Sequence, residues 1–172
     1  MSYDNPSFHI RHANLNDVSA LASLHVETFN ETHGNGPGYE TRYQQWQNIL
    51  HSKDDGFFCF LIEDDKMNLI GFAKGQKYDH ADQPGYAGEL NKIYILKKYQ
   101  KLGLGRQLIC KVAHEFYRRG IQSFLLFGDA NNPSNKFYEI MGAEKLFAKN
   151  GDFHGGYGWK NIEKLLSICD KN

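Results

Sequence analysis

The stretch Glu89–Arg119, ELNKIYILKKYQKLGLGRQLICKVAHEFYRR, joins two hydrophobic periods through a basic turn. Leu90, Ile93, Tyr94, Ile95 and Leu96 form a β-branched and aromatic run of strand length. The turn from Lys97 to Gly105 carries three lysines and two glycines. From Arg106 the apolar residues fall at helical spacing, with Leu108, Ile109, Val112, Ala113 and Phe116 on one stripe and Lys111, Glu115 and Arg118 between them. Gly120 stands where a helix stop is expected. A strand, a glycine-bearing turn and a helix start make an anion site, because first-turn N–H groups lack helical partners and the helix dipole favours negative charge there. Gly103 and Gly105 would let a phosphate approach the backbone without a Cβ in the way.

Two phosphate loops can be set aside. A Walker loop needs Gly-Lys-Ser/Thr after its first glycine and four further residues, a pattern this sequence lacks. A dinucleotide fingerprint needs a small residue three places after Gly105, where Leu108 stands. What remains is Gln100-x-x-Gly103-x-Gly105. Downstream, Asn131-x-x-Ser134-x-x-Phe137-Tyr138-Glu139-x-x-Gly142 forms a second motif. The first resembles the Q/R-x-x-G-x-G/A pyrophosphate loop of the GNAT superfamily of N-acetyltransferases. The second is similar to that superfamily's N-x-x-A-x-x-F-Y-E-x-x-G motif, with Ser134 in place of the usual alanine. The resemblance covers roughly residues 8 to 160 and is strongest from Glu89 to Gly142.

The resemblance implies a mixed α/β fold whose central sheet splays around an acyl-CoA and is flanked by helices. It places the acyl-pantetheine arm on Ile93, Tyr94 and Ile95. It places the pyrophosphate on Gln100, Lys101, Leu102, Gly103, Leu104, Gly105 and Arg106, with Asn131 and Lys136 as further cofactor contacts. Acetyl-CoA is the implied co-substrate. Tyr138 matches the tyrosine near the thioester sulfur, where a phenol near ~10 would hydrogen-bond a departing thiolate near ~8.5 more readily than protonate it fully. Glu89 matches a position where several relatives keep a catalytic base. The backbone N–H of Ile95 or Tyr94 is the implied oxyanion donor. Each has a plainer alternative: Tyr138 as a core aromatic beside Phe137, and Glu89 as a solvated strand-end acid.

The 172 residues suit one domain, which would bury roughly 70% of its unfolded surface. Twenty basic and twenty acidic residues cancel, which argues against a nucleic-acid partner. No apolar run approaches a membrane span, and MSYDNPSFHIRH lacks a signal-peptide core. Cys59, Cys110 and Cys169 are an odd set without C-x-x-C spacing, read as free thiols in a reducing cytoplasm with neither disulfide nor zinc. No histidine pattern suggests a metal.

In chain order, the sequence predicts a strand over Phe8–Arg11, a helix carrying Val18, Leu21, Leu24 and Phe29, and a loop at Gly34–Gly38. A helix over Tyr39–Leu50 should face its core with Tyr39, Tyr43, Trp46, Ile49 and Leu50. A hairpin pairs Phe57–Ile62 with Leu69–Ala73. A strand over Ser123–Phe127 should run parallel to the one before the loop, since a helix separates them. Then come a short helix over Ser134–Met141, a strand over Ala143–Lys149, a glycine-rich turn over Asn150–Gly156, and a strand over Tyr157–Lys160. Ile162–Cys169 closes with a helical turn or two.

Moving an acetyl group from a thioester to an amine requires deprotonation of the ammonium, oxyanion stabilisation and a stabilised thiolate. An N-acetyltransferase acting on a small-molecule or peptide amine is the leading expectation. A non-catalytic acyl-CoA-binding module and a peptide-binding domain using the Tyr39–Trp46 face are the alternatives. His33 and His154 are acceptor-side candidates or surface histidines, and a homodimer stays open.

Overall fold

The computed structural model describes residues 5–171. Its strands form a seven-stranded mixed sheet in the order β1-β2-β3-β4-β5-β7-β6, flanked by helices. The chain clusters into two compact units, Met1–Lys74 with Lys92–Gly105, and Gly75–Asn91 with Arg106–Asn172.

In the first unit, β1 (His9–His12) pairs antiparallel with β2 (Phe57–Glu63), matching Ile10 to Ile62 and Arg11 to Leu61. A 3-10 turn, Leu15–Asp17, is closed by a capping box in which Asn14 and Asp17 satisfy each other's backbone N–H. The Arg11 guanidinium grips Asp17 through two 2.8 Å hydrogen bonds and reaches Glu63 at 2.9 Å, tying the turn to the strand pair. That grip holds the Asp17 carboxyl below its usual range. Helix α1 (Val18–His33) buries Val18, Leu21, Ala22, Leu24, His25 and Thr28, and α2 (Tyr39–His51) follows the glycine loop. The turn from β2 to β3 (Leu69–Lys77) is held by the Asp64 side chain, which accepts from the Lys66 and Asn68 backbones.

The expected core face of α2 holds at Trp46 and is corrected at Tyr39 and Arg42. Tyr39 is exposed, and the buried residues are Arg42 and Trp46. Trp46 Nε1 donates to His25 Nδ1 at 3.0 Å, so a partner on α1 sets the rotation of this helix. An aromatic stripe reads as apolar from sequence, yet tyrosine carries a polar tip that sits comfortably in water.

In the second unit, the start of β4 (Gly88–Ile95) runs parallel to β5 (Phe124–Leu126), with Gly88 opposite Phe124 and Glu89 opposite Leu125. Here β5 also pairs antiparallel with β7 (Phe153–Trp159), which pairs with β6 (Glu144–Phe147). Helix α3 (Leu104–Arg118) begins two residues earlier than the expected Arg106. Below it Phe116 contacts Phe124 at 5.0 Å, and Phe124 stacks on Trp159 at 4.7 Å. Gly88 permits this: a Cβ there would come within 2.8 Å of the Phe116 ring. Strand β7 opens four residues earlier than its expected start at Tyr157, because glycines read as a turn lie within the ladder. Helices α4 (Asn135–Ile140) and α5 (Ile162–Cys169) complete the unit, the latter capped by the Asn161 side chain.

The cysteine expectation is also corrected. Cys110 on α3 and Cys169 on α5 form a disulfide, with Cα atoms 5.7 Å apart and a sequence separation of 59 residues. Spacing rules could not reveal it, because the two thiols meet only through helix packing. Disulfides belong mainly to oxidising compartments, so cysteine usage no longer argues for a reducing one. Cys59 is free and buried, and burial pushes its thiol up to about 12, far from a nucleophile. No helix among the described residues is long and apolar enough to cross a membrane.

Candidate active site

In the first unit the expected arm residues Ile93, Tyr94 and Ile95 lie half-buried at the end of β4. The close approach of β3 here depends on Gly71, whose added Cβ would meet the Tyr94 carbonyl oxygen at 3.0 Å. Gln100 folds back, donating from Nε2 to the Ile95 carbonyl at 2.9 Å. The loop then turns through two left-handed residues, Lys101 at φ 63° and Gly103 at φ 82°, either side of the exposed Leu102. Left-handed backbone is natural for glycine and costly for lysine. Buried Leu104 opens α3, so the N–H groups of Leu104 and Gly105 sit at the positive end of that helix.

Around Tyr94 stand His25 and Phe72, which sequence reasoning passed over, and His33, which it named as an acceptor-side candidate. His25 lies 5.8 Å from the Tyr94 ring and Phe72 5.6 Å from it. His33 Nε2 is 3.3 Å from the Tyr94 hydroxyl. Burial raises the Tyr94 phenol, an effect that Arg42 opposes. Because indole N–H can only donate, His25 Nδ1 must accept from Trp46, leaving the proton on Nε2. Burial first, then Arg42 and Lys92, lower the His25 imidazole to about 3. It is therefore neutral at pH 7 and too weakly basic to take a proton from an ammonium. Its place on the α1 stripe, four residues after Leu21 and three before Thr28, was a signal in the sequence for burial.

This imidazole carries a stability prediction. Its folded pKa lies below the unfolded value near 6.5, so its contribution is fully present above pH 6.5 and is lost as pH falls from there toward 3. Glu115, held down to about 2 by Arg118 and then Arg119, acts only in a lower window, below about 4.5. Urea unfolding between pH 6.5 and 5 should therefore show wild type losing up to about 1.4 kcal/mol per pH unit more than His25→Gln. Parallel slopes in the two proteins would contradict a buried neutral imidazole.

In the second unit Glu89 is half-buried, and its Oε2 accepts from Gln76 Nε2 at 2.8 Å. Arg106, expected at the diphosphate, directs Nη2 to the carbonyls of Ile168 and Lys171. It thereby caps the C-terminal turn of α5, a favourable place for a cation. Tyr138 is buried, its ring 5.6 Å from Phe137, 5.7 Å from Tyr157 and 6.4 Å from Trp159. Asn131 is exposed with its N–H on Asp129 Oδ1, and Lys136 is exposed. Sequence reasoning missed Asn135, whose Nδ2 donates to Asp129 and Ala130 carbonyls while its buried Oδ1 has no partner. His154 lines a separate concavity of about 600 Å³ with Phe127, Leu146 and Phe147. No cluster of potential metal ligands occurs among the described residues.

The sequence profile of the acetyltransferase (GNAT) family matches residues 18–143, running through both units. An uncharacterized N-acetyltransferase of Bacillus subtilis, YuaI, is 27% identical over 176 residues, covering 94% of this chain and 98% of that one. Among solved structures, a GNAT-family acetyltransferase from Staphylococcus aureus Mu50 has a TM-score of 0.74 at 17% identity, over 91% of this chain and 99% of that one. The PaiA N-acetyltransferase of Thermoplasma acidophilum, in complex with coenzyme A, has a TM-score of 0.64 at 19% identity, over 88% and 98%. At such identities the structures speak for the fold, while the profile spans well over half of the chain. This protein belongs to the acetyltransferase (GNAT) family.

Proposed function

We propose that the protein is an acetyl-CoA-dependent N-acetyltransferase acting on a primary amine of a small molecule or peptide, with residues 1–172 working as one domain. The observation that carries this reading is the Lys101–Gly103 turn at the start of α3, where a lysine accepts left-handed backbone in the loop that follows the acyl-arm strand. Strained backbone of this kind gathers at ligand sites, and successive N–H groups in such a turn make a concave anion cradle. The unpartnered Asn135 Oδ1 is a further buried acceptor suited to a donor group of the cofactor.

The chemistry follows from these residues. Glu89, through water, accepts a proton from the acceptor ammonium. The freed nitrogen attacks the thioester carbonyl carbon, and the Ile95 or Tyr94 N–H steadies the oxygen as it gains charge. The carbon–sulfur bond then breaks toward sulfur, with the thiolate hydrogen-bonded by Tyr138 and finally protonated. The products are an acetamide and free coenzyme A. Direct attack suits a protein whose one free cysteine is buried and weakly acidic. Dependence on acetyl-CoA, an intracellular thioester, supports a cytoplasmic location.

The test is calorimetric titration with coenzyme A, followed by thiol release from acetyl-CoA with a panel of amines. Binding and turnover are both expected. Gly103→Val, which forces a β-branched side chain to φ 82°, should weaken coenzyme A binding by at least about tenfold. Saturable binding without thiol release from any amine would instead identify a non-catalytic acyl-CoA module.

A further inference from the structure

Arg42 is the anomaly of the first unit. Its exposure is only 7%, and no carboxylate pairs with it among the described residues. The guanidinium lies 4.9 Å over the Phe29 ring, and Nη1 donates to Gln45 Oε1 at 3.1 Å. Nε is buried with no partner. The edge left without a protein acceptor is therefore Nε with Nη2, the side-on fork that receives a carboxylate through two parallel hydrogen bonds. A buried guanidinium without an anion is costly, and native proteins keep such groups paired. His25 is neutral, and its imidazole feels Arg42 and Lys92 as nearby positive charges. Phe29, which Arg42 covers, has its ring 6.5 Å from that of Tyr94 on the acyl-arm strand. The pantetheine arm expected along that strand is uncharged, so the missing anion is not supplied by the cofactor there.

We propose that Arg42 receives the carboxylate of the amine acceptor, which makes the acceptor class amino-carboxylates: a free amino acid, or a peptide whose reacting amine lies near a carboxylate. This inference rests on the acetyl-transfer reading and narrows it. Polyamines and other polycations meet the Arg42 cation instead of an anion partner and are disfavoured.

Matched acceptor pairs test the assignment. With acetyl-CoA held saturating, kcat/KM is measured for several L-amino acids, for their carboxamides, for dipeptides with a free terminal carboxylate, and for spermidine. Carboxylates should exceed their amides by about a hundredfold. Arg42→Gln should remove that preference, and Arg42→Lys should restore part of it. The free amino acids and the dipeptides distinguish the two sources of the carboxylate. An independent readout is the melting temperature in the presence of coenzyme A, which amino acids should raise and their amides should not. If Arg42→Gln fails to fold, the wild-type pairs and the melting shifts decide. Equal turnover of acids and amides, an unchanged ratio in a folded Arg42→Gln, or best turnover on spermidine overturns the carboxylate assignment and leaves acetyl transfer standing. No thiol release with any amine overturns both.

Discussion

Tyr138→Phe should lower kcat by about a hundredfold at saturating acetyl-CoA, while the KM for the cofactor stays within about threefold. The substitution removes one oxygen and keeps the ring that packs on Tyr157 and Trp159. Any large effect therefore belongs to the hydroxyl. Without that donor the thiolate leaves into a site that stabilises it less, and the cost falls on the step in which carbon–sulfur cleavage develops charge. In the proposed mechanism the phenol meets the charge that forms and not the ground-state thioester, so effects on cofactor binding are expected to be small. The companion variant Glu89→Gln should be slowed most at low pH, where more of the amine is protonated. A Tyr138→Phe enzyme with wild-type kcat across the pH range would remove this tyrosine from the chemistry.

The largest stability effect is expected at Gly155. Its φ is +94°, and an added Cβ would lie 2.4 Å from the Asp129 carbonyl carbon and 2.6 Å from the Asp129 nitrogen. Those are backbone atoms, which cannot swing aside as a flexible side chain would. Left-handed strain of about 1 to 3 kcal/mol adds to an overpacking cost of similar size. Gly155→Ala should therefore cost about 3 kcal/mol or more, lowering the melting temperature by roughly 6 to 12 °C. Gly151→Ala is the control: its φ is +88°, but nothing lies within 4 Å of the added Cβ, so only the backbone term applies. Equal melting temperatures for the two variants would show that the approach of β7 to Asp129 is looser than described.

The parts of this molecule that could be read from sequence are those whose meaning is local. A β-branched run, a glycine turn and an amphipathic stripe between Leu90 and Phe116 announce strand, loop and helix in order, and two motifs tie them to a family. What escaped was fixed by distant partners. Tyr39 looked like part of one core face with Trp46, yet it is exposed, while Arg42 is buried beside a Trp46 held by His25 on another helix. Gly155 and Gly156 looked like a turn, yet they are strand residues, and Asp129 and Leu146 press against them. Cys110 and Cys169 lie 59 residues apart and carry no motif. Arg106 shows the same limit within the motif itself: its position was legible, but its attachment to α5 carbonyls was not. Arg42 left no trace at all, since one arginine in a polar helix reads as surface.

The two tryptophans fall one to each compact unit, Trp46 in the first and Trp159 in the second, and both are almost fully buried. Nature has thus supplied a separate optical reporter for each half of the chain. Removing either indole leaves emission from the other alone, so denaturation curves of the two single-tryptophan proteins, laid over one another, give the cooperativity of the fold without any added dye.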